Sequence, residues 1–191
     1  KIGEGGLLGF DFHPNFNKKG QQGYGDFYVY YFQGRSKPYS NILSRFHVSD
    51  SKAATVDADT EQVLINQEDF ATNHNGGGLF FGPHDGYLYL SLGDGGGSSA
   101  TNRLKIDLNF CAAVLRIDVD RKPESLEPNN HPAIARDSFG KAFYKIPKDN
   151  PWVGDGSRNF MGIDYDANTV RSEFWAVGFR NPFRWSFYQP D

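Results

Sequence analysis

Three side chains with complementary chemistry stand at matching places along the chain. Glu4 lies ten residues before Pro14, His74 nine before Pro83 and Arg180 ten before Pro190. Each proline ends the same short grammar: an apolar run closing on an aromatic, one further residue, Pro, then a turn residue. The copies are Phe12-His-Pro-Asn15, Phe81-Gly-Pro-His-Asp85 and Tyr188-Gln-Pro-Asp191. If the strand opened by each pattern is the innermost of its sheet, a carboxylate, an imidazole and a guanidinium gather at one mouth. That set suits a polar, anionic ligand, and the imidazole, which titrates nearest neutral pH, is the candidate proton acceptor. His74 sits in Thr72-Asn-His-Asn-Gly-Gly-Gly78, where glycines let the backbone approach a ligand closely. Arg180-Asn181-Pro182 offers a planar fork suited to a carboxylate. On spacing alone the plainer alternatives stay open: a turn histidine, a strand-end ion pair and an exposed turn acid.

The elements that must position these groups read as strands. Apolar residues seldom recur at helical spacing; they fall in short bursts such as Asp26-Phe-Tyr-Val-Tyr-Tyr-Phe32, Tyr87-Leu-Tyr-Leu-Ser-Leu92 and Val114-Leu-Arg-Ile-Asp-Val119, rich in β-branched and aromatic residues. Gly, Pro, Asn and Asp cluster between them, so the class is all-β with tight reversals. The repeated hairpin recurs at unequal intervals, which a solenoid does not tolerate but propeller blades with loop insertions do. The stretch 121–143, with Pro123, Pro128 and Pro132, reads as such an insertion. The third copy stops where its turn begins, so the sequence is expected to be part of a longer propeller.

Composition narrows the functional classes. The chain has 191 residues, 38% of them hydrophobic and 16% aromatic, enough apolar side chain for the core of one domain. Its net charge is −3 and no basic stripe stands out, which speaks against nucleic acid. The single Cys111 excludes an intrachain disulfide and a thiolate metal cluster, and there is no run long and apolar enough for a membrane span. No HxH, HExxH or CxxC pattern occurs, so a zinc site has no support and no metal ligand is assigned within the chain. Gly93-Asp-Gly-Gly-Gly97 lacks the Lys-Ser/Thr of a phosphate loop and reads as a flexible turn, with Asp94 a weak candidate for calcium. His13, His47 and His84 read as surface or capping residues.

Five motifs carry a resemblance: Glu4-Gly-Gly-Leu-Leu-Gly-Phe-Asp-Phe-His-Pro-Asn-Phe16, His74-Asn-Gly-Gly-Gly-Leu-Phe-Phe-Gly-Pro83 with Gly86 to Gly96, Val114-Leu-Arg-Ile-Asp118, Ile146-Pro-Lys-Asp-Asn-Pro151 and Trp175-Ala-Val-Gly-Phe-Arg-Asn-Pro182. In order and along nearly the whole chain, they resemble the glucose/sorbosone dehydrogenase family, which includes soluble quinoprotein glucose dehydrogenases and aldose sugar dehydrogenases. The resemblance implies a six-bladed β-propeller, with 1–191 forming about its N-terminal half. It implies pyrroloquinoline quinone and calcium near the axis, a histidine that takes the proton of a sugar's anomeric hydroxyl, and hydride transfer to the quinone, giving a lactone. By motif position the histidine is His74. Arg180 and Asn181 match the pair that contacts the quinone, with Arg180 also stabilising charge on the reduced ring. Glu4 falls where soluble glucose dehydrogenases carry a substrate-contacting Gln, and Asn73 where they carry an Asp, which puts glucose itself in doubt as substrate. The calcium ligands and remaining quinone contacts are expected beyond Asp191, so this stretch alone is expected to be inactive. The family works in the periplasm or outside the cell. It also has relatives resembling hedgehog-interacting protein, in which the propeller binds a protein partner, and a redox-silent carbohydrate-binding propeller is a third possibility.

Overall fold

The computed structural model describes residues 3–97, 102–154 and 156–188. Two four-stranded antiparallel sheets organise them. The first is a meander of β1 (Gly6–Phe12), β2 (Asp26–Gln33), β3 (Tyr39–His47) and β4 (Gln62–Asp69), in that spatial order. The second runs β5 (Leu79–Phe81), β6 (Leu88–Leu92), β7 (Ala113–Ile117) and β10 (Phe174–Val177), so its outer strand is contributed after a long excursion. That excursion, 118–173, includes a separate hairpin of β8 (Ser157–Phe160) and β9 (Ile163–Asp166). The chain is all-β with antiparallel sheets, consistent with part of a propeller.

Alternation explains the first sheet. Along β2, Tyr28 and Tyr30 turn toward the second sheet and are buried, opposite Arg45 and Leu43 of β3. β6 and β7 are buried at every position, which fits strands covered on both faces and their near-continuous apolar sequence. Arg116 is the exception, and its burial is compensated. Its guanidinium bonds Asp85 and Asp149 and lies 4.6 and 4.8 Å from the rings of Tyr87 and Trp175. The excursion closes the core by laying Ile134, Tyr144 and Ile146 against Leu43, Ile65, Leu88 and Leu115. An antiparallel bridge between Ile65 and Ile134 stitches it to the first sheet.

Edge strands of the two sheets, β1 and β5, lie side by side. A Cβ on Gly9 would stand 2.6 Å from the carbonyl oxygen of Gly77 and 2.8 Å from Leu79 Cβ, so glycine is what permits the approach. Asp11 Oδ2 accepts the Phe81 N–H at 2.7 Å. The two hairpins expected at Pro14 and Pro83 form as β1–β2 and β5–β6. The third copy falls at Tyr188 to Asp191, of which Gln189, Pro190 and Asp191 lie outside the described residues; residues 183–188 belong to no strand. The segment nevertheless follows β5: Trp185 meets Phe80 at 5.1 Å between ring centres, and Ser91 Oγ donates to the Pro182 carbonyl at 2.6 Å. A cavity of about 410 Å³ opens among Leu8, Gly77, Phe80, Phe183 and Trp185.

Candidate functional site

The loop that precedes β5 is the meeting point. His74 adopts a left-handed backbone, φ 62°, and is 7% exposed. Its Nδ1 lies 2.7 Å from Asp94 Oδ1. Facing a carboxylate acceptor, the neutral imidazole carries its proton on Nδ1, which makes Nε2 the acceptor. The oxygen that receives His74 also accepts the Gly96 N–H at 3.0 Å, which fixes the carboxylate's rotation. Asp94 is held from behind as well. Its own N–H donates to the Arg180 carbonyl at 2.8 Å, and its carbonyl accepts Asn102 Nδ2 at 2.7 Å.

Close main-chain approach brings the two loops together. A Cβ on Gly93 would fall 1.9 Å from the His74 carbonyl oxygen and 3.1 Å from that of Arg180. No side chain fits, so the Gly-rich turn after β6 is a docking surface for the histidine loop.

The remaining candidates arrive at the same loop by different atoms. Glu4 is exposed, yet its Oε2 accepts the His74 N–H at 2.8 Å and lies 3.5 Å from the Asn75 nitrogen. Asn181 Oδ1 accepts the Gly76 N–H at 3.0 Å. Arg180 contributes its backbone to Asp94 while its side chain is exposed. Asn73 is half-buried against Gly96. The residues singled out on spacing therefore do converge, but Glu4 and Asn181 meet the histidine loop through its backbone. His74 also precedes β5 by a loop instead of opening the strand.

Burial tunes the groups behind the site. Tyr30 donates to the Asn75 carbonyl at 2.6 Å and contacts Asn41, which donates to Asp69 at 2.8 Å. Burial first, opposed by the Ala71 and Phe70 N–H groups, holds the Asp69 carboxyl above its ordinary range. Burial pushes the Cys111 thiol up to about 12, so it is no nucleophile at neutral pH. Among the described residues no group of three or more acidic, histidine or cysteine side chains could hold a metal.

Asp94 is the residue that sequence reasoning undervalued, because Gly93-Asp-Gly-Gly-Gly97 reads as a flexible turn. The signal was the glycine directly after a wholly buried strand, which marks a backbone pressed against something. The other histidines do different work. His13 is buried, not superficial: it caps Asn15 N–H through Nδ1 and meets Asp120 at 3.1 Å, beyond the far end of β1 from Glu4. His47 is exposed and pairs with Asp26 at 2.8 Å.

Two adjoining four-stranded antiparallel sheets, with a His74–Asp94 pair in the loop that precedes β5, are consistent with part of a propeller. Residues 1–189 match the family described as Glucose / Sorbosone dehydrogenase, and the chain belongs to it. It is 37% identical over 117 residues to the HIPL1 protein of Arabidopsis thaliana, a match covering 61% of this chain and 14% of that protein. It is 36% identical over 125 residues to Hedgehog-interacting protein of Mus musculus, covering 61% of this chain and 17% of that protein. The matched stretch is thus a small part of these relatives. No helix among the described residues is long and apolar enough to cross a membrane.

Proposed function

We propose that the protein of which this chain forms the catalytic-base region is a quinone-dependent sugar dehydrogenase, working in the periplasm or outside the cell. The observation that carries the reading is the His74–Asp94 pair, which leaves Nε2 as a proton acceptor in the loop where Glu4, Arg180 and Asn181 converge. The donor set fits pyrroloquinoline quinone. Asn181 spends its oxygen on Gly76 and keeps its Nδ2 as a donor, and Arg180 keeps an exposed guanidinium, so both suit the oxygens of a planar anion. When bound, that quinone supplies hydride acceptance from the anomeric carbon of an aldose. His74 Nε2 takes the hydroxyl proton, giving the lactone, and the Asp94 carboxylate stabilises the imidazolium that results. On this reading Asn73, half-buried against Gly96, is a sugar contact. Calcium and the remaining quinone contacts belong, on this reading, to a six-bladed ring completed outside this sequence; the aromatic outer face of the first sheet, with Phe10 and Phe12 partly exposed, suits a neighbouring blade.

In the full-length protein loaded with pyrroloquinoline quinone and calcium, dye reduction by an aldose is expected, and His74→Ala should lower turnover by about 10²–10⁴. A loss under tenfold removes His74 as the base. The likeness to Hedgehog-interacting protein favours a second reading, a non-catalytic module that binds a protein partner. That reading requires no quinone uptake by the full-length protein.

A further inference from the structure

We infer that Glu4 is a positioning residue: with Asp11 it clamps both ends of the inner segment 74–81, and its grip on the His74 N–H holds the base in its left-handed conformation. This rests on the dehydrogenase reading for the word base, but the clamp itself is geometric. Glu4 and Asp11 are seven residues apart, as are His74 and Phe81. Glu4 Oε2 takes the His74 N–H at 2.8 Å and Asp11 Oδ2 takes the Phe81 N–H at 2.7 Å.

An odd spacing would put the two acids on opposite faces of a regular strand. The register of β1 slips between Leu7 and Gly9, where two residues on Tyr31 and Tyr30 of β2 are matched by three on β1. That bulge adds one residue within β1, while Glu4 lies in the turn before the strand and outside its alternation, and both carboxylates reach the 74–81 segment. Further bonds fasten the Glu4 end: its N–H donates to the Thr72 carbonyl at 2.8 Å, and Asn75 Nδ2 reaches its carbonyl at 3.4 Å. A non-glycine residue at φ 62° is uncommon and persists where surrounding bonds over-determine it. The acid therefore acts on the main chain of the base, whereas a substrate contact would act on the sugar.

The test uses the full-length protein with quinone, calcium and an aldose, reading kcat and KM separately alongside hydrogen exchange at the His74 amide. Glu4→Ala is expected to speed that exchange at least about tenfold and to lower kcat by about 10- to 100-fold, with KM within about threefold. Glu4→Gln, which keeps an acceptor at the same reach, should restore both to within about threefold. Glu4→Asp, charged but one methylene shorter, should behave as Glu4→Ala and is the variant to read if the alanine form does not fold. Asp11→Ala, at the far end of the clamp, should lower the unfolding temperature and leave the His74 amide exchange less affected than Glu4→Ala does. The proposal is overturned if Glu4→Ala raises KM tenfold at constant kcat, if Glu4→Gln is as poor as Glu4→Asp, or if His74 exchange is unmoved. Should the wild type reduce no dye, the dehydrogenase reading fails, and the exchange data alone decide the clamp.

Discussion

Replacing Asp94 separates what its charge does from what its shape does. Oδ1 accepts both the His74 imidazole, at 2.7 Å, and the Gly96 N–H, at 3.0 Å. An asparagine rotated to place its NH₂ there would set donor against donor at Gly96. Asp94→Asn is therefore expected to keep its oxygen toward His74 and preserve the Nδ1–H tautomer while losing the negative charge. A hydrogen bond to a charged group contributes about 1.5–3 kcal/mol and a neutral one about 0.5–1.5, so the difference is about 1–1.5 kcal/mol, or roughly tenfold in kcat. Asp94→Ala removes the acceptor altogether and frees the ring to turn or change tautomer, so its loss should reach about 10²–10³. The assay is dye reduction by the reconstituted full-length protein, paired with the ¹⁵N shifts of the His74 ring, in which Nε2 should appear as the unprotonated nitrogen in both the wild type and Asp94→Asn. If the asparagine variant is as damaged as the alanine variant, or its ring nitrogens exchange roles, the argument from Gly96 is wrong.

Three further outcomes concern stability. Gly93→Ala forces a methyl onto the His74 carbonyl, 1.9 Å away and part of the backbone, so it should cost at least about 1–3 kcal/mol by chemical denaturation. Tyr144→Phe removes the 2.6 Å bond to the fully buried Glu173, whose carboxyl burial holds above its ordinary range; the loss should be about 1.5–3 kcal/mol at neutral pH and shrink as pH falls through the raised folded value, where the buried acid takes up a proton. Burial lowers the His131 pKa, its Nε2 donating to the Leu108 carbonyl and its Nδ1 accepting the Ala133 N–H. The folded state thus binds fewer protons than the unfolded one below about pH 6.5, stability should fall as pH drops through that value, and the fall should flatten in His131→Asn when unfolding temperatures are compared at pH 7 and 5.5.

Strands whose residues alternate or are covered on both faces were legible in the sequence. The bursts at 26–32, 87–92 and 114–119 fall on β2, β6 and β7 because aromatic and β-branched runs have few other places to go. β4, Gln-Val-Leu-Ile-Asn-Gln-Glu-Asp, escaped notice because its polar end is paid no attention by a periodicity count, although Asn66 and Glu68 are exposed in alternation with buried Gln67 and Asp69. That Glu4, His74 and Arg180 come near one loop was legible from their similar distance to a proline, and Asn181 from the resemblance. The atoms they use were not legible. That Glu4 and Asn181 grip N–H groups, and that Asp94 belongs to the site, depends on two loops approaching within contact distance across Gly93 and Gly96, of which the sequence carries only the glycine that follows the β6 burst.

That same approach bears on which of the two functional readings the architecture favours. A module that binds a macromolecule needs its recognition groups at the surface, where a partner of low curvature can reach them. His74 is buried, with its ring oriented by a part-buried carboxylate and its N–H, at an uncommon backbone dihedral, held by Glu4. Ordering of this kind is costly to maintain and gives little to a flat interface, but it is what a proton acceptor needs when one small hydroxyl must meet one nitrogen lone pair. The exposed Arg180 and Glu4 would serve either purpose; the buried pair is the feature that favours the proposed dehydrogenase.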